Sequence, residues 1–483
     1  MFQKCHQLLM EKIVIESTNL LSLAEQAKLF REGKLTAVDN VKSHLELINN
    51  LNPQLNSFIT IDSKGALEQA KILDKSRNKG DNLGPLSGAI LGVKDSIPTK
   101  DITTTNNSRL LKNWRPKKDA SVISRLKKAG AIIIGKTNLN EFGWSRPSEL
   151  DLNPPPWSPW NLNHMSVGSS SGSGAATSAR MVSASIGTDG GGSARLPAGA
   201  NNLYGMKPTH GLVSRLGMDH NGHSEISPLS RTALDLALLL ESMSGFEIED
   251  DMSWPEAVPN YVKNINKDIS GWKIGVPRNF IDSAPNEPEI INAFEIFLNK
   301  LEDLGCKLED IDLRGMAEAR AANFIVLNSE SYQRHQKSLR LHWKDYGQIT
   351  RVYLLQGAFI YANDMLNASE VGRAFKNYFS KLLRDKEIKA IVTPTSPFAT
   401  AERSRRPDEH SKGVNACYTA PFNISGHPSI SLPAGFGDAE IPIGMMLTGE
   451  IHDDSSLLQI AHAYDKKTEW SKIMPKLVSN NFD

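Results

Sequence analysis

Apolar positions in the first fifth of the chain recur at helical spacing. Ser22-Leu23-Ala24-Glu25 has the form of a capping box, and Gly33 supplies the stop that follows it. Thr36 and Asp39 repeat the pattern. Val38, Val41, Leu45 and Ile48 then mark one apolar face of a second helix, with Pro53 placed beyond its end. From Gly84 the pattern changes. Ala89-Ile90-Leu91-Gly92-Val93 predicts a short buried strand ending at Lys94-Asp95. Val122, Ile123, Leu126 and Ala129 predict the inward face of a helix, Gly130 its stop, and Ala131 to Gly135 a strand. Further strands are predicted at 272–276, 389–393 and 429–433, and a helix over 287–304 with Ile290, Phe294, Phe297, Leu298 and Leu301 on one face. Alternation of this kind argues for an α/β sheet. The acidic, Pro-containing stretch 247–259 is the best linker candidate. Apolar strands continue on both sides of it, which fits one large sheet as well as two domains.

Composition narrows the function classes. The chain has 483 residues, of which 40% are hydrophobic and 23% charged, enough to bury a large core. Lys+Arg 55 against Asp+Glu 54 leaves a net charge of +1, so there is no general pull toward nucleic acid or an anionic membrane. Cys5, Cys306 and Cys417 lie far apart with no C-x-x-C. This excludes a disulfide framework and a thiolate zinc ribbon, and points to a reducing compartment. No apolar run approaches the ~18–20 residues of a membrane helix, and Met1 to Thr18 lacks the apolar core of a signal peptide. The expectation is a cytoplasmic globular protein, monomer or homodimer, with no nucleic-acid or membrane partner.

The chemistry concentrates in Gly168-Ser169-Ser170-Ser171-Gly172-Ser173-Gly174, which precedes Ala175 to Ala179, and in Gly187-Thr188-Asp189-Gly190-Gly191-Gly192-Ser193-Ala194-Arg195-Leu196-Pro197. Gly/Ser composition alone fits a flexible linker. Against that, the stretch between the loops reads as a helix of small residues, and the second loop embeds Asp189 and Arg195, charges no linker needs. Glycine-rich backbone can aim successive N–H groups at one spot, as a phosphate nest or as an oxyanion hole. The phosphate version fails in detail: G-x-x-x-x-G-K-[ST] is absent, and Gly172-Ser173-Gly174 lacks the third glycine of G-x-G-x-x-G. Gly168 to Gly172 matches the G-x-S-x-G elbow, which needs a strand directly before it. Trp157 to Val167 contains two Trp, a Pro, two Asn and a His, and is no buried strand. Ser124-Arg125-Leu126-Lys127 matches S-x-x-K, but on an amphipathic helix with no companion motif.

Together with Val93-Lys94-Asp95, the two loops resemble the signature of the amidase signature hydrolases. The separations along the chain from Lys94 to Ser169, and from Ser169 to Ser193, are similar to the family's. Further echoes are Gly205 to Thr209, Pro228 to Thr232, Thr393-Pro394-Thr395 and Gly426 to Pro433, so the resemblance covers roughly 18–470. It implies the amidase-signature fold, an α/β single large mixed β-sheet core flanked by helices on both faces. It also implies one domain over 1–483: a mostly helical region 1–75, a signature core 76–245, and a second half 260–483 that completes the sheet and pocket. By the same resemblance Ser193 is the nucleophile, Ser169 a bridging serine joined to Gly168 by a cis peptide, and Lys94 the base. The N–H groups of Gly190, Gly191, Gly192 and Ser193 form the oxyanion hole, Asp189 and Arg195 brace the loop as an ion pair, Ser170 and Ser171 supply loop hydrogen bonds, and no metal or cofactor takes part. The chemistry is coherent from below. A serine hydroxyl needs a base to take its proton. A lysine can be that base only when neutral, so burial must lower its pKa from about 10.4. Two departures bear on substrate shape: Gly190 stands where members often carry a larger side chain, and Val167-Gly168 replaces Gly-Gly.

The remaining candidates are weaker. His220 and His223 form H-x-x-H without H-E-x-x-H; with His210 they read as structural or pocket-lining residues. Trp144, Trp157 and Trp160 read as core or loop packing, and Cys417 as a buried small hydrophobe. Two function classes stay open. One is a free-standing hydrolase of a small-molecule amide, anilide, carbamate or ester. The other is the glutaminase-like A subunit of a tRNA-dependent amidotransferase. In the latter, an Asp seven residues before the Asn of an N-[LI]-[AS]-G-x-P segment helps to bind the ammonium of glutamine. Counting back from Asn423 gives Ala416, and the F-A-S-S-L-D-Q-x-G-P segment of those proteins is replaced by Met218 to Pro228. The free-standing hydrolase is therefore expected, with its pocket drawn from 141–165, 215–227 and 325–365. A binding protein without activity is opposed by the survival of Lys94, Ser169 and Ser193.

Overall fold

The computed structural model describes residues 18–144, 151–218, 223–400, 402 and 417–482. Helix α1 (Leu23–Arg31) starts at the expected capping box: Glu25 N–H donates to Ser22 Oγ at 3.2 Å, and Ser22 N–H donates to the Glu25 carboxylate at 2.7 Å. Helix α2 (Ala37–Leu55) is capped by Thr36. Pro53 lies inside its last turn rather than beyond it. One lost backbone bond is tolerated there because Leu51 and Leu55 are buried on either side, and Asn56 closes the helix at φ 52°.

Eleven strands form one sheet: β1 (Phe58–Ile61), β2 (Ile90–Lys94), β3 (Ile132–Thr137), β4 (Ala184–Asp189), β5 (Tyr204–Lys207), β6 (Glu225–Ser230), β7 (Lys273–Val276), β8 (Lys307–Asp310), β9 (Ile388–Pro394), β10 (Ser429–Phe436) and β11 (Pro442–Gly449). Their order is β1-β3-β2-β4-β6-β5-β10-β11-β9-β7-β8. Strands β3, β2 and β4 run parallel, as do β9, β7 and β8; the remaining pairs are antiparallel. The two halves of the chain meet at β5–β10, where Met206 pairs with Ile430.

The apolar runs are continuous because both faces of these strands are covered. Ile133 packs in one core cluster with helix α3 (Ser121–Lys128), while Ile132 and Ile134 pack in another with α2. The signature segment is more than two loops and a helix. Helix α4 (Ser171–Ser178) is followed by β4, every residue of which is buried. The expected helix 287–304 is α5 (Pro288–Asp303), and a long helix α6 (Met316–Leu341) follows it. The 247–259 stretch is laid across both halves. Glu247 pairs with Arg125 at 3.1 Å, Trp254 N–H donates to Gly211 O at 2.9 Å, and the Trp254 ring stacks on His452 at 3.4 Å.

Ile133 is fully buried and Ile72 is 65% exposed. Ile133→Ala is expected to destabilise the protein by about 2–5 kcal/mol and Ile72→Ala by less than about 0.5 kcal/mol, read as shifts in the urea unfolding midpoint.

Candidate active site

Parallel pairing of β2 with β4 brings the carboxyl ends of the two strands together, and the side chains of Lys94 and Thr188 meet there, the usual place for a ligand in a sheet of this kind. Lys94 is fully buried, and its Nζ donates to Ser169 Oγ and to Thr188 Oγ1, each at 2.8 Å. Ser169 follows a cis peptide with Gly168 and leads into α4. That helix can approach closely because Gly172 lies against the backbone: a Cβ there would sit 2.4 Å from Asn138 N and 2.4 Å from Ser57 O.

The second loop is fixed by one carboxylate. Asp189 accepts the N–H groups of Gly192 at 2.7 Å, Ala194 at 3.2 Å and Arg195 at 3.2 Å, and it takes the Arg195 guanidinium at 3.0 Å and 2.9 Å. Both side chains are fully buried. The same guanidinium donates to Thr419 O at 3.0 Å and Asn423 Oδ1 at 2.6 Å. The loop carbonyls are held as well. Asp189 O accepts from Asn423 at 2.8 Å, Gly190 O from Asn323 at 3.0 Å, and Gly191 O from Thr419 Oγ1 at 2.7 Å. Gly192 has φ +125°, and a Cβ there would strike Thr419 Oγ1 at 2.4 Å. Ser193 O accepts Ser170 N–H at 3.0 Å, which ties the two loops together.

Electrostatics follow from this burial. Desolvation pulls the Lys94 pKa down to about 7, against the opposing attraction of Asp189. Burial works to raise the Asp189 carboxyl, but the charge and hydrogen bonds of Arg195, with help from Asn423, hold it below the usual carboxylate range. Lys136 and Lys207 are also fully buried. Lys136 donates to Ile97 O and to Thr99 Oγ1, and Lys207 to Pro208 O at 2.8 Å. Lys94 is the buried lysine bonded to a serine at the cavity.

Ser169, Thr188, Gly190, Gly191 and Ser193 line a cavity of about 250 Å³. Gly192 does not line it, and its N–H is donated to Asp189; here the structure departs from the expected set of four oxyanion donors. Trp144 packs against the cluster of Leu339, Tyr346 and Leu354, as expected, and is also in the cavity wall, 6.3 Å from the Phe324 ring. Trp157 and Trp160 are elsewhere; Trp160 Nε1 donates to Ser178 Oγ at 2.9 Å. His210 pairs with Glu225, and its ring lies 5.6 Å from that of His223, away from the cavity lining. Burial pushes the Cys417 thiol up to about 12. Ser170 Oγ donates to Thr188 O at 3.2 Å. Cys5, His220 and Ala416 lie outside the described residues, as do 145–150 and 219–222 of the expected pocket segments. Phe142, Trp144, Ser224, Leu327, Glu330 and Leu354 represent those segments in the wall. Sequence reasoning missed Thr188 as the second partner of Lys94, although it stands inside the signature, and missed Asn323 and Thr419, which no motif marks.

The sequence profile of the amidase family matches residues 39–458. The A subunit of glutamyl-tRNA(Gln) amidotransferase from Pseudomonas fluorescens (strain Pf0-1) is 35% identical, covering 94% of this chain and 99% of its own. The protein of the same description from Pseudomonas savastanoi pv. phaseolicola (strain 1448A / Race 6) is 34% identical with the same coverage. Among solved structures, the corresponding A subunit from Thermotoga maritima superposes with a TM-score of 0.81 at 29% identity, over 95% of this chain and 97% of that one. Peptide amidase from Stenotrophomonas maltophilia gives a TM-score of 0.81 at 25% identity, over 93% and 97%. A profile match across most of the chain, with full-length relatives at 34–35% identity, establishes that the chain belongs to the amidase signature family, enzymes of amidase-type C–N cleavage.

Proposed function

We propose that the chain hydrolyses a carboxamide C–N bond through an acyl-enzyme on Ser193. The observation that carries this reading is the buried 2.8 Å contact between Lys94 Nζ and Ser169 Oγ, with the lysine pulled down to about 7. In neutral Lys94 the direction of that hydrogen bond reverses, and Ser169 O–H donates to the nitrogen lone pair. Ser169 then draws the proton from Ser193 as Ser193 Oγ attacks the carbonyl carbon. Negative charge develops on the carbonyl oxygen and is received by backbone N–H groups of Gly190, Gly191 and Ser193. The C–N bond breaks, the proton returns through Ser169 to the leaving nitrogen, and water releases the acyl group by the same steps. Asp189 and Arg195 act at one remove, by fixing the loop.

The leaving amine divides the two readings. The full-length relatives at 34–35% identity are amidotransferase A subunits, which favours release of ammonia from glutamine within a tRNA-dependent amidotransferase. The free-standing hydrolase expected from the sequence rests on Ala416 and on the replaced segment Met218 to Pro228. Relatives matched over 94% of the chain carry more weight than those positions. We place the reaction in the cytoplasm; among the described residues no helix is long and apolar enough to cross a membrane. The chain is read as one domain, because its halves share a sheet through β5 and β10.

Ser193→Ala is expected to lower kcat by at least about 10³-fold, and Lys94→Ala by a similar factor, with unfolding midpoints recorded alongside. The acylation rate is expected to rise with pH through about 7 as Lys94 loses its proton; a flat profile from about pH 6 to 9, with chemistry rate-limiting, would remove Lys94 as base. A panel of glutamine, simple primary amides, anilides, carbamates and esters, with ammonia and amine both read out, separates the two readings. Turnover of anilides or carbamates by the chain alone favours the free-standing enzyme. Activity confined to glutamine, or dependent on added partner chains, favours the amidotransferase.

A further inference from the structure

Three consecutive peptide groups lead from Asp189 to Gly192, and a donor from another part of the chain holds each of their carbonyls. Asn423 holds Asp189 O at 2.8 Å, Asn323 holds Gly190 O at 3.0 Å, and Thr419 Oγ1 holds Gly191 O at 2.7 Å. In a trans peptide the C=O and the N–H that follows it point in opposite directions, so a fixed carbonyl fixes the N–H behind it. Thr419 accordingly fixes the N–H of Gly192, which is spent on Asp189. Asn323 fixes the N–H of Gly191, a residue of the cavity lining. That N–H meets no acceptor among the described residues.

Glycine flanks the Gly190–Gly191 peptide on both sides, and such a peptide can turn over at little steric cost. Turned over, it would aim Gly190 O at the developing oxyanion, partial negative charge against negative charge. Helix α6 opposes this. Asn323 and Phe324 lie 3.6 Å and 3.8 Å from the place a Cβ of Gly191 would take, and Leu327 lies 3.6 Å from that of Gly190. Of these three side chains only Asn323 can donate a hydrogen bond. It is fully buried, and its Oδ1 has no partner among the described residues. A leucine would fill the same place without that unpaired acceptor, so packing does not account for an asparagine here.

We propose that Asn323 is a positioning residue for catalysis: it holds the Gly190–Gly191 peptide with its N–H turned to the cavity. A side chain from the second half of the chain thereby sets one donor of the oxyanion hole. The proposal rests on Ser193 as nucleophile.

The rate at which a fluorophosphonate labels Ser193 tests it, because negative charge gathers on the phosphoryl oxygen as the serine attacks. N323L keeps the bulk and removes the donor; N323A also removes the donor. V326A is the structural control, since Val326 is a buried core residue of the same helix and does not line the cavity. N323L is expected to label at least about ten-fold more slowly than wild type. The pH dependence of its labelling is expected to match wild type, because Lys94 and Ser169 are untouched. V326A is expected to label within about two-fold of wild type. Labelling of N323L at the wild-type rate overturns the proposal, as does equal slowing in N323L and V326A. A shifted pH dependence in N323L overturns it as well, by placing the effect at the base. Should N323L not fold, N323A decides by the same comparison; failure of both to fold makes Asn323 a structural residue and overturns the proposal too. Each of these outcomes leaves the nucleophile in place. Folded wild type that takes no label at Ser193 overturns the reading beneath it.

Discussion

The site depends on a carboxylate that water never reaches. Asp189 accepts three backbone N–H groups of its own loop and the Nε and Nη2 donors of the Arg195 guanidinium. A buried ion pair is stable only when its remaining hydrogen bonds are also met. Here they are met from elsewhere in the chain, by Thr419 O and Asn423. One satisfied pair thus fixes the shape of the loop, joins it to the other half of the sheet, and sets the field in which Lys94 titrates. Without that negative charge, burial would pull the lysine lower still.

Burial by itself does not make a base. Lys94, Lys136 and Lys207 are all fully buried, and desolvation lowers all three pKa values, to about 7, 8 and 8. Lys136 and Lys207 have main-chain carbonyls among their acceptors, groups with no proton to give. The acceptors of Lys94 are two hydroxyls, both on the cavity wall. What the strand ends supply is partners with exchangeable protons.

Much of this was legible in the chain. Continuous apolar runs announced strands covered on both faces, capping residues announced α1 and α2, and the ordered glycine, serine and lysine motifs announced which segments converge. What could not be read lay in partners distant in sequence. Gly192 has the same local pattern as Gly190 and Gly191, and only the folded loop shows that its N–H belongs to Asp189. Strand β4 was hidden because Ala184-Ser185-Ile186-Gly187 is too small and mixed to show an apolar run, and it is buried by close neighbours rather than by its own bulk. Trp144 looks like packing alone until Phe324, from a helix in the other half of the chain, places it in the cavity wall.

The guanidinium contacts to Thr419 and Asn423 also set a schedule for synthesis. A ribosome releases Lys94, Ser169 and Ser193 long before residues 419–431, which hold the loop carbonyls and pair β10 with β5. Chains fold from the N-terminus as they emerge. The nascent protein therefore carries its Gly190–Ser193 loop without the Thr419 and Asn423 contacts through most of the elongation of its second half, with Arg195 short of two acceptors it will later bury. The last of these braces forms only with the chain that carries β10.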